Sequence, residues 1–498
     1  MLESFIFAVT YRDDAPPRHG PGNVLQSLFL AVMIVQIAAC ASGLESPQQI
    51  VSGAQSETIP ATWHDAASTA VNETDLVSWW SQFGDATLTH LIEQGMTANN
   101  NIAAAQGRLR SARAVLDGAQ GARLPGVSAR GSASHQDHID GLSRQEIIDG
   151  VYLDGDTYSV GIDASWEADI FGKLRGTAEA AAAGARGSAA SLYDVQRVIT
   201  ADIALNYVNL RDAQLRLELA KANLDIQREN LHIAEWRNQA GLGDALEVEQ
   251  ARTAVGQTTA ALPVLRLNIA TAIHAIDVLI GKPPGSSAGL LTPLAPMPAP
   301  PAMINVGLPA DLLQRRPDVL SAQWNLEAEA IRIGVAEADL YPALRLSGSI
   351  DTASDSIDGL FDASLGSIVA GVTAPIFQGG QIRARIEQQK GSADTALANY
   401  RSTVLTALLD VENALQSAKA AGEREAALLD AEASALISLQ LAEIRYRSGA
   451  VDFQTLLDTQ RSVLTVQDSR ASANAARSTA AIQLFKALGG GWPANASL

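Results

Sequence analysis

The stretch "YSVGIDASWEADIFGK", residues 158–173, alternates apolar and polar side chains and is followed by a long alanine-rich stretch. One parity carries Tyr158, Val160, Ile162, Ala164, Trp166, Ala168 and Ile170, and the other carries Ser159, Gly161, Asp163, Ser165, Glu167 and Asp169. This alternation predicts a β-strand of about thirteen residues with one apolar and one polar face. Because soluble sandwiches and membrane pores both use such strands, the strand alone leaves both open.

The surrounding sequence is duplicated. One set of matches has a constant offset of 217: Gln106 with Gln323, Leu109 with Leu326, Pro125 with Pro342 and Gly131 with Gly348. A later set has an offset of 208: Gly172 with Gly380, Arg237 with Arg445, Gly241 with Gly449 and Asp244 with Asp452. The chain is therefore predicted to consist of two copies of one unit, which differ by nine residues between Gly131 and Gly172.

Each unit predicts the order helix, β-hairpin, long helix, turn and returning helix. Repeat 1 covers 85–282 with its hairpin at about 127–171, and repeat 2 covers 307–488 with its hairpin at about 343–378. The four predicted strands have the length that a tilted membrane-crossing strand needs. Four strands cannot close a barrel alone, so a membrane barrel would need further copies of the chain.

The predicted long helices cover about 173–240 and 381–448, which is roughly 100 Å each at 1.5 Å per residue. Gly241 and Gly449 follow them at the position where a left-handed cap residue ends a helix. The returning helices, at about 244–280 and 452–488, are about half as long. The helix at about 309–340 is predicted to complete the first returning helix, and the helix at about 86–122 to complete the second. Two shorter helices would then stack end to end beside each long one.

A proline-rich segment at 283–306 joins the repeats, and a short tail at 489–498 contains "GGGWP". Proline excludes helix from the segment, so it is either a flexible linker or a band around the helices. The repeat favours the band, because the tail breaks its own helix at the equivalent point.

The N-terminus has the pattern of a secretory signal. Arg12 and Arg18 precede an apolar run at 24–39, which ends in "IAAC" at Cys40. "IAAC" resembles the bacterial lipobox, which implies a signal peptide at 1–39, a covalent lipid on Cys40 and a lipidated segment at 40–84. The alternative is a spanning helix followed by a free cysteine, but the run is short for a span.

The composition limits the classes of function. A formal net charge of −18 and the lack of a Lys/Arg cluster argue against a nucleic-acid partner. The chain has 7 His, 1 Cys and no convergent catalytic set, so we expect no enzyme activity, no metal and no cofactor apart from the lipid. The hydrophobic content of 47% with only 5% aromatic residues favours long, closely packed helices.

Four segments of the chain resemble the TolC-type outer-membrane factors, specifically the NodT-type lipoproteins of RND-type efflux. They are "SWEADIFGKLRG" from Ser165, "GLPADLLQRRPDVLSAQWNLEAEAIRIGVAEADLYPALRLSGS" from Gly307, "APIFQGGQIRARI" from Ala374 and "RYRSGAVDFQTLLDTQRSVL" from Arg445. The resemblance implies a mainly α protein with membrane β: a homotrimer whose twelve strands form an outer-membrane β-barrel, continuous with an α-helical barrel in the periplasm. It also implies a passive multidrug efflux duct that works with a periplasmic adaptor and an inner-membrane RND-type pump.

The resemblance also implies a gate at the helix tips. Asp458 matches a recurrent constriction in the second returning helix, and Asp452 and Asp244 lie at the turns, where three copies of each would form rings of negative charge. Asp452 and Asp244 are equally well explained as helix N-caps. Gln454 stands where related ducts carry a bulkier residue, which weakens the case for an apolar part of the constriction.

Phe171 and Phe377 lie where strand changes to helix, as membrane-interface anchors would, although packing of a strand end explains them nearly as well. Two other functions fit part of the sequence: an outer-membrane component of type I protein secretion, and a soluble periplasmic coiled-coil adaptor. The adaptor would not explain the four strands. An envelope enzyme explains the sequence least well.

Overall fold

The computed structural model describes residues 59–64, 76–137 and 155–492. The signal peptide, Cys40 and the last six residues of the tail lie outside the described residues, as do most of the segment at 40–84 and the tip of the first hairpin.

Helices dominate both repeats, and their lengths agree between the repeats. The helices of repeat 1 are α1 (Ala86–Ala98), α2 (Asn100–Gly121), α3 (Lys173–Gln239) and α4 (Ala245–Leu279). Those that follow are α5 (Ala288–Leu291), α6 (Leu312–Arg315), α7 (Pro317–Ala338), α8 (Gln381–Arg447) and α9 (Phe453–Ala487). The long helices α3 and α8 have 67 residues each, and the returning helices α4 and α9 have 35 each.

The stacking of the shorter helices differs from the prediction. α2 begins where α4 ends, at a hydrogen bond from Asn99 to the carbonyl of Leu279, and α7 begins where α9 ends. The predicted pairing of 309–340 with the first returning helix and of 86–122 with the second is therefore wrong, because helix length alone fits either pairing.

Two helices that the sequence predicts as continuous are broken. The helix at about 86–122 stops at Asn99, whose backbone is extended and whose side-chain oxygen accepts the amides of Asn101 and Ile102 at the start of α2. The helix at about 309–340 starts with a 3-10 turn at Pro309–Asp311 and breaks at Arg316. Arg316 precedes Pro317, and proline disfavours the helical conformation of the residue before it.

The four strands form one antiparallel sheet in the order β1-β2-β3-β4. They are β1 (Gly126–Gln136), β2 (Gly155–Ala168), β3 (Ala343–Ser354) and β4 (Leu365–Thr373). The alternation in the sequence suggests longer second and fourth strands, reaching Ile170 and Ile376. β2 ends earlier because Asp169 caps α3, and β4 ends before Pro375, which has no amide hydrogen for the sheet. β1 and β4 are the two edges, so the described sheet is open.

The proline-rich segment is hydrogen-bonded to the helices. Ser478 on α9 donates its hydroxyl to the carbonyl of Pro298. Gln214 on α3 donates to the carbonyl of Leu291, and Arg211 donates to that of Pro293. The segment therefore lies as a band against helices of both repeats. The prediction that proline excludes helix from it is wrong at α5, the short helix Ala288–Leu291, which contains no proline.

Candidate functional site

The sheet has one apolar and one polar face, and both continue across all four strands. On one face the register places Ile162 beside Ile350, and Gly348 beside Ile368. Large side chains on this face are exposed in the single chain: Ile368 is 91% exposed. A continuous exposed apolar face suits contact with lipid and would be unfavourable in water.

The opposite face carries a polar network. Arg130 on β1 reaches across β2, where it lies 3.4 Å from Asp163, and donates to Asp351 on β3 at 2.8 Å. The hydroxyls of Ser132 and Ser159 are 2.8 Å apart, and those of Ser349 and Ser367 are 2.9 Å apart. Arg345 pairs with Glu167 at 3.3 Å. This face suits a water-filled lumen, because its charged side chains are paired and it is rich in hydroxyl groups.

The seam where strands meet helices is ionic and draws on both repeats. Asp169 accepts the backbone amides of Leu174 and Arg175 and so caps α3. Asp339, at the end of α7, accepts from Lys173 at 2.6 Å and from Arg385 at 3.3 Å. A cavity of about 620 Å³, open to solvent on one side, lies at the seam.

The two predicted anchors at this seam have different surroundings. Phe171 stacks on Tyr341 with ring centroids 4.7 Å apart and planes at 12°. Phe377 is 88% exposed, and it lies in the loop between β4 and α8. Phe171 is thus packed within the chain, as a strand end would be, and of the two predicted anchors only Phe377 presents a largely exposed ring.

The helix tips are built the same way in both repeats. Gly241 and Gly449 each have φ of 72°, a left-handed conformation that glycine adopts without strain. The next amide bonds back into the helix: Leu242 donates to the carbonyl of Arg237, and Ala450 donates to that of Arg445, both at 2.8 Å. Such a bond is typical of a helix that ends on glycine.

Asp244 and Asp452 cap the returning helices at these turns. Asp244 accepts the amide of Leu246 at 3.1 Å. Asp452 accepts both the hydroxyl and the amide of Thr455, at 2.6 and 2.9 Å. Both hydrogen bonds hold the pKa of Asp452 below its usual value, and the one from the hydroxyl has the larger effect. The N-cap interpretation of both residues therefore has direct geometric support.

Asp458 lies on the exposed surface of α9, one and a half turns beyond its start. Gln454 donates its side-chain amide to both carboxylate oxygens, at 2.9 and 3.0 Å. Arg461 is 3.6 Å away, a weak surface pair. Gln454 is therefore a partner of Asp458, whose side chain is 56% exposed in the single chain.

The two tips pack into one apolar cluster. Its buried members are Ala234, Val248, Ala251, Ala442, Phe453, Leu456 and Leu457. Arg237 donates to the hydroxyl of Tyr446 and lies over its ring, with 5.2 Å between the guanidinium carbon and the ring centroid. The tips of one chain are thereby joined by side-chain contacts near the three aspartates.

The model of the outer membrane efflux protein family matches residues 91–282 and 308–490, on either side of the proline-rich band. The chain belongs to this family. It is an outer-membrane efflux protein that extends into the periplasm.

Known relatives match the efflux protein over most of its length. It is 29% identical over 476 residues to the pyoverdine export outer membrane protein OpmQ of Pseudomonas aeruginosa, covering 95% of this chain and 98% of OpmQ. It is 32% identical over 417 residues to nodulation protein T of Rhizobium leguminosarum bv. trifolii, covering 83% and 88%. The solved outer-membrane channel OprN matches with a TM-score of 0.79 at 32% identity, over 87% of this chain and 99% of OprN.

Three features of the efflux protein's tips and seam were missed by reasoning from the sequence. The Arg237–Tyr446 contact joins residues that are far apart in the chain, and only one signal pointed to it: Tyr446 stands where the repeat has Asn238. The capping role of Asp169 was hidden because it continues the alternation of the strand. Asp339 corresponds to Ala122 in repeat 1, so the repeat did not indicate an ionic role for it.

Among the described residues no group of three His, Cys, Asp or Glu side chains could hold a metal ion.

Proposed function

We propose that three copies of the chain form a passive exit duct, which receives small molecules from a periplasmic adaptor and an inner-membrane RND-type pump and releases them outside the cell. The observation that carries this proposal is the open sheet with an apolar face, a polar face and two unpaired edges. In a bilayer, unpaired strand edges are unfavourable, so such a sheet requires further strands to close it. Three identical sheets supply twelve strands.

The duct acts through shape and charge. The polar face of the sheet would line the barrel, and the helices, roughly 100 Å long, would continue the lumen through the periplasm. No bond is made or broken in this role. The pump would supply the driving force, and the duct would only provide a path for the transported molecules.

Asp458 is proposed to narrow the periplasmic entrance. Its position on the exposed surface near the start of α9, with only Gln454 and a weak pair to Arg461, leaves its charge available to the lumen. Three copies would form a ring of like charge that favours cations and opposes anions. Asp244 and Asp452 would contribute to the field at the tips while capping their helices.

A lipid on Cys40 is proposed as a second attachment to the outer membrane, in addition to the barrel. This rests on the sequence "IAAC" alone. Labelling with radioactive palmitate tests it: the wild type should incorporate label and Cys40→Ser should not.

Drug susceptibility of a deletion strain tests the function. Wild-type protein expressed in that strain should restore resistance, and Asp458→Ala should make the cells leakier to antibiotics and change the conductance of the purified channel. Asp225→Ala is the matched control, because Asp225 makes a similar surface pair with Arg228 at 3.5 Å but lies within α3. Failure of the wild type to restore resistance would refute the efflux role. An Asp458→Ala channel that behaves as the control does would refute the gate.

A further inference from the structure

The cavity at the seam has charged side chains of both signs in its wall. Three are acidic and three are basic: Glu167, Asp169 and Asp339, and Lys173, Arg345 and Arg385. Glu167 and Arg345 belong to the polar face of the sheet, so the cavity lies on the side that would face the lumen. A ligand in it would meet the hydrogen-bonding groups that these side chains leave unused.

The carboxylates of the cavity are already occupied by donors of the chain. Asp169 accepts a backbone amide on each of its oxygens. Asp339 accepts from Lys173 with one oxygen and from Arg385 with the other. Glu167 accepts from its arginine partner on β3. These carboxylates therefore offer little to a cation.

The two arginines of the cavity keep most of their donors. Arg345 lies 3.3 Å from Glu167 and its side chain is 76% exposed. Arg385 lies 3.3 Å from Asp339 and its side chain is 72% exposed. A guanidinium carries five N–H donors, and one carboxylate contact uses only part of them. The cavity is therefore rich in charged donors, which suits an anion.

The start of α3 shows how an anion binds at this level of the molecule. Asp169 accepts the amide of Leu174 at 3.1 Å with one oxygen and the amide of Arg175 at 2.7 Å with the other. Amides in the first turn of a helix have no partner within the helix, and the helix dipole favours negative charge there. Repeat 1 therefore contains a carboxylate site that the chain itself fills.

The equivalent site at the start of α8 is not filled by the chain. Phe377 stands where repeat 1 has Asp169, and its side chain cannot accept a hydrogen bond of this kind. The equivalents of the two capped amides are those of Ile382 and Arg383. Neither amide has a hydrogen-bond partner among the described residues, and no described side chain caps α8.

The uncapped end of α8 adjoins the cavity and has space in front of it. Ile382 and Arg385 both line the cavity. A Cβ on Gly379 or Gly380, the two residues that precede α8, would meet no atom within 4 Å. A ligand could therefore reach the free amides and the guanidinium of Arg385 together.

The rest of the wall indicates what kind of molecule carries the anion. The stacked rings of Phe171 and Tyr341 line the cavity, and Ile170, Pro342 and Pro375 lie beside them. A volume of about 620 Å³ is in the range of sites that bind drug-sized ligands, far more than a lone inorganic anion needs. The wall suits an organic acid with an apolar or aromatic body.

We propose that the seam cavity binds organic carboxylates. The carboxylate of the ligand would lie on the amides of Ile382 and Arg383 and on the guanidinium of Arg385, and its apolar body would lie against the stacked rings. The ligand would thus take at α8 the place that Asp169 takes at α3. The inference rests on the proposed function only where it puts the site on the path of transported molecules.

Binding of para-fluorobenzoate to the purified full-length protein, followed by fluorine NMR, tests the site. We expect saturable binding of para-fluorobenzoate and about tenfold weaker binding of para-fluorobenzamide, which has the same ring but no charge. Equal binding of the two compounds, or no binding of para-fluorobenzoate, would overturn the proposal.

Phe377→Asp supplies the missing carboxylate from the chain. The new side chain should accept the free amides of α8, as Asp169 accepts those of α3, and binding of para-fluorobenzoate should fall about tenfold. Phe377→Ala is the matched control, because it removes the ring without adding an acceptor, and it should bind as the wild type does. Wild-type binding by Phe377→Asp, or an equal loss in Phe377→Ala, would overturn the proposal.

Arg385→Gln tests the guanidinium separately and does not depend on whether Phe377→Asp folds. The loss of charge-assisted hydrogen bonds should weaken binding of para-fluorobenzoate about tenfold. The control is Arg175→Gln, since Arg175 is an exposed arginine at the start of α3 whose side chain does not line the cavity. Equal affinities in the two variants would overturn the proposed site.

Drug resistance separates this site from the proposed function. Wild-type protein that restores resistance in the deletion strain but does not bind para-fluorobenzoate would reject the site and leave the efflux role intact. Wild-type protein that binds para-fluorobenzoate as expected but does not restore resistance would reject the efflux role and leave the site intact.

Discussion

The two joints at which shorter helices stack end to end are both held by a side chain that donates to a backbone carbonyl, but the side chains differ in charge. At the first, Asn99 donates its side-chain amide to the carbonyl of Leu279 at 2.7 Å. At the second, Arg316 donates to the carbonyl of Ala487 at 3.3 Å. Asn99 and Arg316 are equivalent under the offset of 217, and Leu279 and Ala487 are equivalent under the offset of 208. Duplication has therefore kept the joint while the side chain that makes it has changed.

The backbone of the joint is also kept. Gly281 and Gly489, again 208 apart, have φ of 73° and 80°. A Cβ on Gly281 would lie 2.3 Å from the carbonyl oxygen of Ala98, and one on Gly489 would lie 2.8 Å from that of Arg315. Both joints thus need glycine, because the chain passes too close to a backbone carbonyl for any side chain.

The difference between the joints is one of charge. Asn99 is neutral and needs no counter-ion. Arg316 is buried, which disfavours its charge, but hydrogen bonds from its guanidinium to Asp318 and Asp410 outweigh burial and raise its pKa. A neutral amide therefore suffices at this joint. The charged version adds links to α8 and also a dependence on its carboxylate partners.

The largest expected effect is that of Arg316→Met. Removing the guanidinium leaves Asp318 and Asp410 without their main partner, and breaking a buried pair in this way costs about 3 kcal/mol or more. Since both carboxylates keep some access to solvent, we expect the lower end of that range. Thermal unfolding of the purified protein measures it, and Arg332→Met, an exposed arginine on the same helix, is the control. Equal melting temperatures for the two variants would contradict the role given to Arg316.

A smaller effect is expected for Asn99→Ala. The change removes the N-cap of α2 and leaves the carbonyl of Leu279 without its donor, which together cost about 1–2 kcal/mol. The control is Asn100→Ala, next to it on the exposed side of α2. If Asn99→Ala destabilised the protein more than Arg316→Met does, the distinction between a neutral and a charged joint would be wrong.

The smallest effect is a dependence on pH that only the second joint should show. Burial raises the pKa of Asp318, but the hydrogen bond from Arg316 and its positive charge lower this pKa by more. The net shift is therefore downward. A depressed carboxylate pKa contributes stability that is present above its unfolded value, about 3.9, and is lost as pH falls through the folded pKa. The stability of the wild type should therefore fall below about pH 4 and approach that of Asp318→Asn.

Unfolding of both proteins as a function of pH measures this dependence. The difference in stability between the wild type and Asp318→Asn should be constant near neutral pH and shrink in acid. A difference that grows in acid would show that Asp318 is not stabilised by Arg316.

Most of the fold could be predicted from the sequence, because its main signals are local or repeated. The constant offsets identified the two units, and Gly241 and Gly449 marked the turns of the long helices. The breaks at Asn99 and Arg316 were missed, since the helical pattern runs through both residues and the carbonyls that they bind belong to helices distant in sequence. At the candidate site, the role of Asp244 and Asp452 as helix N-caps could be predicted from the residue type. The contact of Arg237 with Tyr446 could not, because it depends on how the two tips pack.

We expect the chain to form a duct only when three copies bring their open sheets together. Native mass spectrometry of the detergent-solubilised protein tests it most directly. The expected result is a single species with the mass of three mature chains and their lipids. A monomer, a dimer or an open-ended series of masses would contradict the claim.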